Sequence, residues 1–250
     1  MDEKPDYGNW VPLKFVYIPG ILGMLMVVAS YFYFPIIVLA VIFLIIICYT
    51  SYARAEFSTE GGDIQSKIRA VILDVLKWDG KGKIIDIGCG NGPLTIAAAK
   101  KYPDSQVTGI DYWEGMWEYS IDVCMKNAKI EGVQDRVEFK KASASDLPFE
   151  SGYFDAAVSN LVFHEVKDTA DKKLVVKEAL RVVKKGGVFA FQDLFHEEKI
   201  YGDIDDLLDD IEDWGVKEVY FTDTRDCEFI PNALKLPFMV GSIGIIHGKK

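Results

Sequence analysis

The polar and apolar positions divide the chain sharply. From Phe15 to Ala53 there is no Asp, Glu, Lys, Arg or His. One straight helix over that stretch would run to roughly 58 Å at 1.5 Å per residue, against a hydrocarbon core of about 30 Å. Ser30-Tyr31-Phe32-Tyr33-Phe34-Pro35 lies near its middle. Pro35 suits the first turn of a new helix, and Tyr and Phe suit a membrane interface. The pattern predicts two apolar helices, about 13–31 and 35–53, folded as a hairpin. Neither has the polar face that helices of soluble proteins show.

After Arg54 the texture becomes that of a globular domain. Ile64, Ile68, Ile72 and Val75 recur at helical spacing within 63–78, with Asp63 placed to cap. Strands and helices then alternate. Strands are expected at KIIDIG, QVTGID, RVEFKKA, FDAAVSN and GGVFAFQDL. Helices are expected at PLTIAAAKKY, MWEYSIDVCMKNAKIEG, ADKKLVVKEALRVV and DIDDLLDDIEDW. KEVYFTDT and GSIGIIHGK read as two strands without a convincing helix between them. Alternation implies a parallel sheet, and the last pair an antiparallel hairpin at one edge.

Charge and cysteines narrow this picture. The 250 residues carry a formal net charge of -10, which argues against a nucleic-acid partner. Cys48, Cys89, Cys124 and Cys227 are scattered, with no C-x-x-C pair, which argues for a reducing compartment and against structural zinc. The acidic 203–214 run keeps Ile204, Leu207, Leu208 and Ile211 at helical spacing, so it reads as a solvated amphipathic helix and not a metal site. Lys4 and Lys14 precede the apolar stretch, Arg54, Lys67 and Arg69 follow it, and the connection between the two predicted helices has no positive charge. The positive-inside rule then places both termini in the cytosol, with the protein multi-pass in the cell membrane.

Residues 84–96, IIDIGCGNGPLTI, carry the chemistry. A strand that breaks into a glycine turn and re-forms as a helix commonly holds a nucleotide. A dinucleotide fingerprint from Gly88 would need glycine at 93, where the chain has proline. The spacing is G-x-G-x-G, preceded on the strand by Asp86. This resembles the D-x-G-x-G-x-G motif of the class I S-adenosylmethionine-dependent methyltransferases. Further stretches resemble that family in order: Gly109-Ile110-Asp111, ASASDLPF at 142–149, FDAAVSNLVFHEV at 154–166 and ALRVVKKGGVFAF at 179–191. The resemblance runs from about residue 64 to the C terminus and implies an α/β fold: a doubly wound, mostly parallel seven-stranded sheet with an antiparallel terminal hairpin. This Rossmann-like methyltransferase fold would be preceded here by two transmembrane helices.

The cofactor implied is S-adenosylmethionine. In the family the strand acid, here Asp86, helps hold the methionine ammonium. Gly88, Cys89, Gly90 and Gly92 would approach the ligand through backbone. Asp111 would take the ribose hydroxyls. Tyr112, Trp113 and Met116 would offer surface to the adenine, and Asn160 lies where strand four meets the ligand. Ser143, followed by Ala144, stands where the family has an acid for the adenine amino group. Candidate bases belong at the carboxyl ends of strands four and five, where ligands bind in open α/β sheets. His164 is the first candidate, then Asp193 and His196; a histidine starting a helix can instead be structural, as His247 in the terminal strand is read to be.

The organisation expected is a cytosolic tail over 1–12, a membrane hairpin over 13–53 and a methyltransferase domain over 54–250. The partners expected are the lipid bilayer and a lipid, quinone or other apolar acceptor. A soluble acceptor with the hairpin as tether, a non-catalytic S-adenosylmethionine-binding membrane protein, and an aminopropyl transferase remain as alternatives. Ser159-Asn160-Leu161-Val162 lacks the N-P-P-Y-like run of nucleic-acid amino-methyltransferases.

Overall fold

The computed structural model describes residues 3–113 and 119–250. The chain forms two compact units, Asn9–Lys67, and the segment up to Gly8 together with Ile68–Lys250. The divisions fall after residues 8 and 67, where 12 and 53 were expected, and the residues up to Gly8 group with the second unit.

In the Asn9–Lys67 unit, α1 (Lys14–Ser30) and α2 (Ile37–Phe57) are joined through a 3-10 turn at Phe34–Ile36. They run antiparallel. A Cβ on Gly20 would lie 3.9 Å from Ile47, and one on Gly23 would lie 3.1 Å from Phe43. Pro35 has no N–H to donate to Tyr31, so α1 cannot run on through it. The hairpin thus forms, but its limbs are unequal. At 17 residues α1 is roughly 26 Å long, short of an apolar layer of about 30 Å. Among the described residues, only Phe34–Phe57 is long and apolar enough to cross a membrane by length and composition. The expectation of two full spans is corrected to one such helix and a shorter apolar companion. Most large apolar side chains of the pair face outward, Met24 of α1 at 71% exposure and Ile45 of α2 at 62%. At the base of α2, the Arg54 guanidinium donates to the Val11 carbonyl at 2.6 Å, and Trp10 packs on Phe57 with ring centroids 5.5 Å apart.

The helix α3 spans Ile64–Val75, and Asp63 before it has φ +52° with its Oδ1 buried without a partner. The second unit is then β1 (Gly82–Ile87), α4 (Pro93–Lys101), β2 (Ser105–Asp111), α5 (Ile121–Ile130), β3 (Val137–Lys141), β4 (Phe154–Asn160), α6 (Lys172–Arg181), β5 (Val183–Asp193), α7 (Glu198–Tyr201), α8 (Ile204–Asp213), β6 (Glu218–Asp223) and β7 (Gly244–Lys249). The sheet order is β3-β2-β1-β4-β5-β7-β6, parallel except for β7, which pairs antiparallel with both β5 and β6. The expected seven-stranded, mostly parallel sheet is therefore present.

Alternation along the strands divides the core. Ile85, Ile87, Ala157, Phe189 and Phe191 pack with Val176 and Leu180 of α6 and Leu207 and Ile211 of α8. Ile84, Val107, Ala156, Val158 and Ala190 pack with Ile72 of α3 and Leu94 of α4. Strands covered on both faces read as continuous apolar runs, which is why the polar residues at their ends stand out. The order reverses between β1 and β4, the switch point beyond which such sheets bind ligands.

Gly109 of β2 shows how closely helix and strand approach. A Cβ there would lie 2.8 Å from the Thr95 hydroxyl and 2.9 Å from Phe139. Gly109→Ala is expected to destabilise the domain by about 1–3 kcal/mol through overpacking. A thermal midpoint equal to wild type would show that α4 can shift freely.

Candidate active site

The turn between β1 and α4 is built on three glycines in left-handed conformation, Gly88 (φ +75°), Gly90 (φ +56°) and Gly92 (φ +81°). L-residues resist this region, and Gly88 has a second reason to lack a side chain. A Cβ on it would lie 2.1 Å from Val162, in the turn after β4. Gly92 precedes α4, and Pro93 occupies its first turn, where no N–H is needed.

Side chains from β2 and α5 fasten the turn. Gly88 and Cys89 donate their N–H groups to the Ile110 carbonyl at 2.7 and 2.9 Å. Asp111 accepts the Gly90 N–H on Oδ2 and the Trp113 N–H on Oδ1, both at 2.8 Å. It is half-buried, and each oxygen retains a lone pair for a ribose hydroxyl. Trp113, expected to present a flat face, donates its indole N–H to the Gly90 carbonyl at 2.9 Å. Tyr112 is exposed with the Lys141 ammonium 5.0 Å from its ring centroid. Cys89 is buried, and burial together with the neighbouring Cys124 thiol raises its pKa, which makes it a poor nucleophile. Met116 lies outside the described residues.

Asp86 is 1% exposed. Its Oδ2 accepts the Thr95 hydroxyl at 2.6 Å, and its Oδ1 is buried without a partner. Burial, opposed by the Thr95 bond and reinforced by Asp111, pushes its pKa up to about 7. Register places Asp86 beside Val158, and Val158 beside Ala190. Two residues further along the same face lie Asn160 and Gln192, paired with one another. The Asn160 Oδ1 and both amide atoms of Gln192 are buried without partners. Gln192 was missed in the sequence reading, although a polar residue inside VFAFQD was a signal. Arg69 of α3 was missed as a site residue too. It is buried, and its charge acts on both Asp86 and Tyr119.

The acid expected near the adenine edge is Ser143 in this chain. Its hydroxyl donates to Asp168 Oδ2 at 2.7 Å, and Ser145 donates to the same oxygen at 2.6 Å. The loop after β4 thereby brings a carboxylate to the serine position, 25 residues away in sequence. The serine bonds hold the Asp168 pKa below its ordinary value. Ala144 beside it packs into the core.

His164 and Asp193 meet directly. The turn after β4 takes φ +59° at Leu161, and His164 Nδ1 lies 2.6 Å from Asp193 Oδ1. The fully buried Asp193 also accepts N–H groups of Val162 and Phe163 on Oδ2 and of Leu194 on Oδ1. It therefore fastens the turn as well as the imidazole. Nε2 is the imidazole nitrogen left for other chemistry, 3.9 Å from Glu165. Burial opposes charging of His164, but the Asp193 hydrogen bond and charge outweigh it and raise the pKa above 6.5. His196 belongs to another cluster. Its Nε2 is 3.2 Å from Asp223, its ring packs on Phe221, and Arg225 braces Asp223. His247 contacts the Thr222 hydroxyl within the sheet at 3.0 Å.

The sheet order is Rossmann-like, and the glycine turn flanked by Asp86 and Asp111 lies at its switch point. Residues 85–191 match a family described as a methyltransferase domain. The chain is 35% identical over 138 residues to the rRNA N(6)-adenosine-methyltransferase metl-5 of Caenorhabditis elegans, covering 54% of this chain and 61% of that one. It is 33% identical over 105 residues to a demethylmenaquinone methyltransferase of Lactococcus lactis subsp. lactis, covering 42% and 38%. The chain thus spans between about two fifths and three fifths of these relatives. Geranyl diphosphate C-methyltransferase from Streptomyces coelicolor A3(2) has the same fold, with TM-score 0.56 and 18% identity over 74% of this chain and 75% of that one. Residues 85–191 are thus similar to a methyltransferase domain, and S-adenosylmethionine is the cofactor that this similarity supports.

Asp193→Asn is expected to lower the His164 pKa, read by NMR titration of its ring proton. The sign follows from the raised folded value. The pair's stabilisation is fully present below the unfolded value of about 6.5 and is lost as pH rises through the folded value. An unmoved titration would mean that the carboxylate does not govern the imidazole.

Proposed function

We propose that this protein is a membrane-anchored methyltransferase acting on a lipid, quinone or other apolar acceptor. The observation that carries the transfer is the unpaired, buried Asp86 Oδ1 beside the left-handed glycine turn. A carboxylate there suits the ammonium of a methionine moiety and would repel a pyrophosphate. Asp111 suits the ribose hydroxyls, Asp168 held by Ser143 and Ser145 suits the adenine amine, and the buried Arg69 supplies positive charge for the methionine carboxylate. Bound in this way, S-adenosylmethionine supplies an electrophilic methyl on a sulfonium.

The chain's own contribution is to orient and to move a proton. His164 is the base of this reading. Asp193 holds Nδ1–H and leaves the Nε2 lone pair for an acceptor hydroxyl, so Asp193 acts as a positioning residue. Asn160 and Gln192 form a polar floor on the sheet face that bears Asp86, and positioning on such a floor is itself a large part of catalysis in a transfer of this kind. His196 takes no role here, because it lies in the cluster with Phe221, Asp223 and Arg225 and not beside His164.

Membrane anchoring rests on the outward apolar surface of α1 and α2, which water would penalise by about 25 cal/mol per Å². In this reading the apolar surface of α1 and α2 is taken up by lipid, and the methyltransferase domain stays in water. The demethylmenaquinone methyltransferase relative favours an acceptor with an apolar tail.

Membranes carrying the protein, incubated with radiolabelled S-adenosylmethionine and partitioned between organic solvent and water, are expected to yield a labelled organic-phase product. Label confined to the aqueous phase would replace the apolar acceptor by a soluble one. Asp86 supplies a second expectation. Its raised pKa means that the domain loses stability as pH rises through about 7, because the buried carboxylate must then ionise. A bound ammonium favours that ionised form. Affinity for S-adenosylhomocysteine should therefore increase as pH rises to about 7, with proton release, and level off above it. Calorimetry in buffers of different ionisation enthalpy reads the proton directly, and Asp86→Asn should abolish its release. Release unchanged in that variant would remove Asp86 from the ammonium site.

A further inference from the structure

The first residues of the chain read as a solvated tail, yet they lie against α5 and the glycine turn. Asn127 of α5 is the centre of this contact and is buried. Its Oδ1 accepts the Asp6 N–H at 2.8 Å, and its Nδ2 donates to the Asp6 carbonyl at 2.8 Å and the Asn91 carbonyl at 3.0 Å. Asn91 belongs to the glycine turn, and its own Oδ1 accepts the Ser120 N–H at 3.2 Å. Alongside, Tyr7 donates to Glu131 at 3.1 Å and Glu3 pairs with Lys126. The Tyr119 ring forms a second link. A Cβ on Gly8 would lie 3.2 Å from it, and a Cβ on Gly90 would lie 3.4 Å from it. One buried amide and one ring thus touch both the N-terminal segment and the glycine turn.

We propose that Glu3–Gly8 is a strap that holds the glycine turn in its ligand-binding shape through Asn127 and Tyr119, and so sets how fast the cofactor leaves. This rests on the reading of residues 86–92 as the cofactor turn. The physical reason is the cost of an unpaired buried amide. If the strap lifts, Asn127 loses two of its three bonds and must move to recover them, and the Asn91 carbonyl moves with it. Asn127 is a positioning residue, because it reaches the site only through Asn91. Asn9–Leu13 alone separate the strap from α1, so the apolar hairpin and the cofactor turn are tied along the chain.

The test measures dissociation of S-adenosylhomocysteine from the full chain in detergent micelles by stopped flow. Three single variants and one combination are compared with wild type: deletion of residues 2–8, Asn127→Ala, Gly8→Ala, which strains the strap's left-handed backbone and its contact with Tyr119, and the deletion together with Asn127→Ala. Dissociation is expected to speed up about tenfold in the deletion and in Asn127→Ala, the loss of roughly one to two hydrogen bonds. The combined variant should be no faster than either, because both cut one link. Thermal melting accompanies each measurement. Should Asn127→Ala fail to fold, the deletion and Gly8→Ala still decide the question. Wild-type dissociation in those two overturns the strap, whatever their melting points. A wild-type protein that binds no S-adenosylhomocysteine overturns instead the cofactor reading on which the strap rests.

Discussion

The turn from β1 into α4 is the constraint on which the rest of the site depends. Three left-handed residues in five strongly favour glycine, and the bare backbone they leave is closely packed. Val162 from the turn after β4 fills the space at Gly88, and the Ile110 carbonyl collects the N–H groups of Gly88 and Cys89. Asp111, Trp113 and Cys124 hold Gly90, while Asn127 holds Asn91. These contacts within the chain hold the turn's geometry, and preorganised backbone dipoles lose little on binding.

Buried polarity collects at the same end of the sheet, and it divides into satisfied and unsatisfied groups. Asp193 has four donors and works as a fastener. Asp86, Asn160 and Gln192 keep atoms without partners on the opposite face of the strands. Orphaned polar atoms cost stability, so three residues that keep them together at the switch point mark a surface that a polar ligand would satisfy. The Ser143–Asp168 pair makes the same point at the rim, where a carboxylate arrives from a distant loop to sit on the serine.

The Asn9–Lys67 unit obeys different physics. Its helices meet through Gly20 and Gly23 and turn most of their apolar side chains outward. Packing two helices together buries too little to account for such a surface in water. The inequality of the limbs comes from Pro35 and from the extended Tyr33 just before it, which end the first helix before the apolar run ends.

Much of this was legible in sequence, wherever the signal was local. The alternation of apolar runs yields the sheet and its helices. G-x-G-x-G after an acid yields the turn, because its left-handed backbone strongly favours glycine. The unbroken apolar stretch yields the hairpin, although helix length fell short of composition on one limb. Tertiary structure alone decided what depends on distant pairs. Gln192 becomes a candidate site residue only beside Asn160, Arg69 only when α3 buries it near Asp86, and Asp168 only when its loop folds back to Ser143. Glu3–Gly8 left the expected tail for the same reason, since its partner Asn127 lies 121 residues away. Backbone conformation is written residue by residue, whereas a hydrogen bond between remote side chains exists only once the core has set the distance between them.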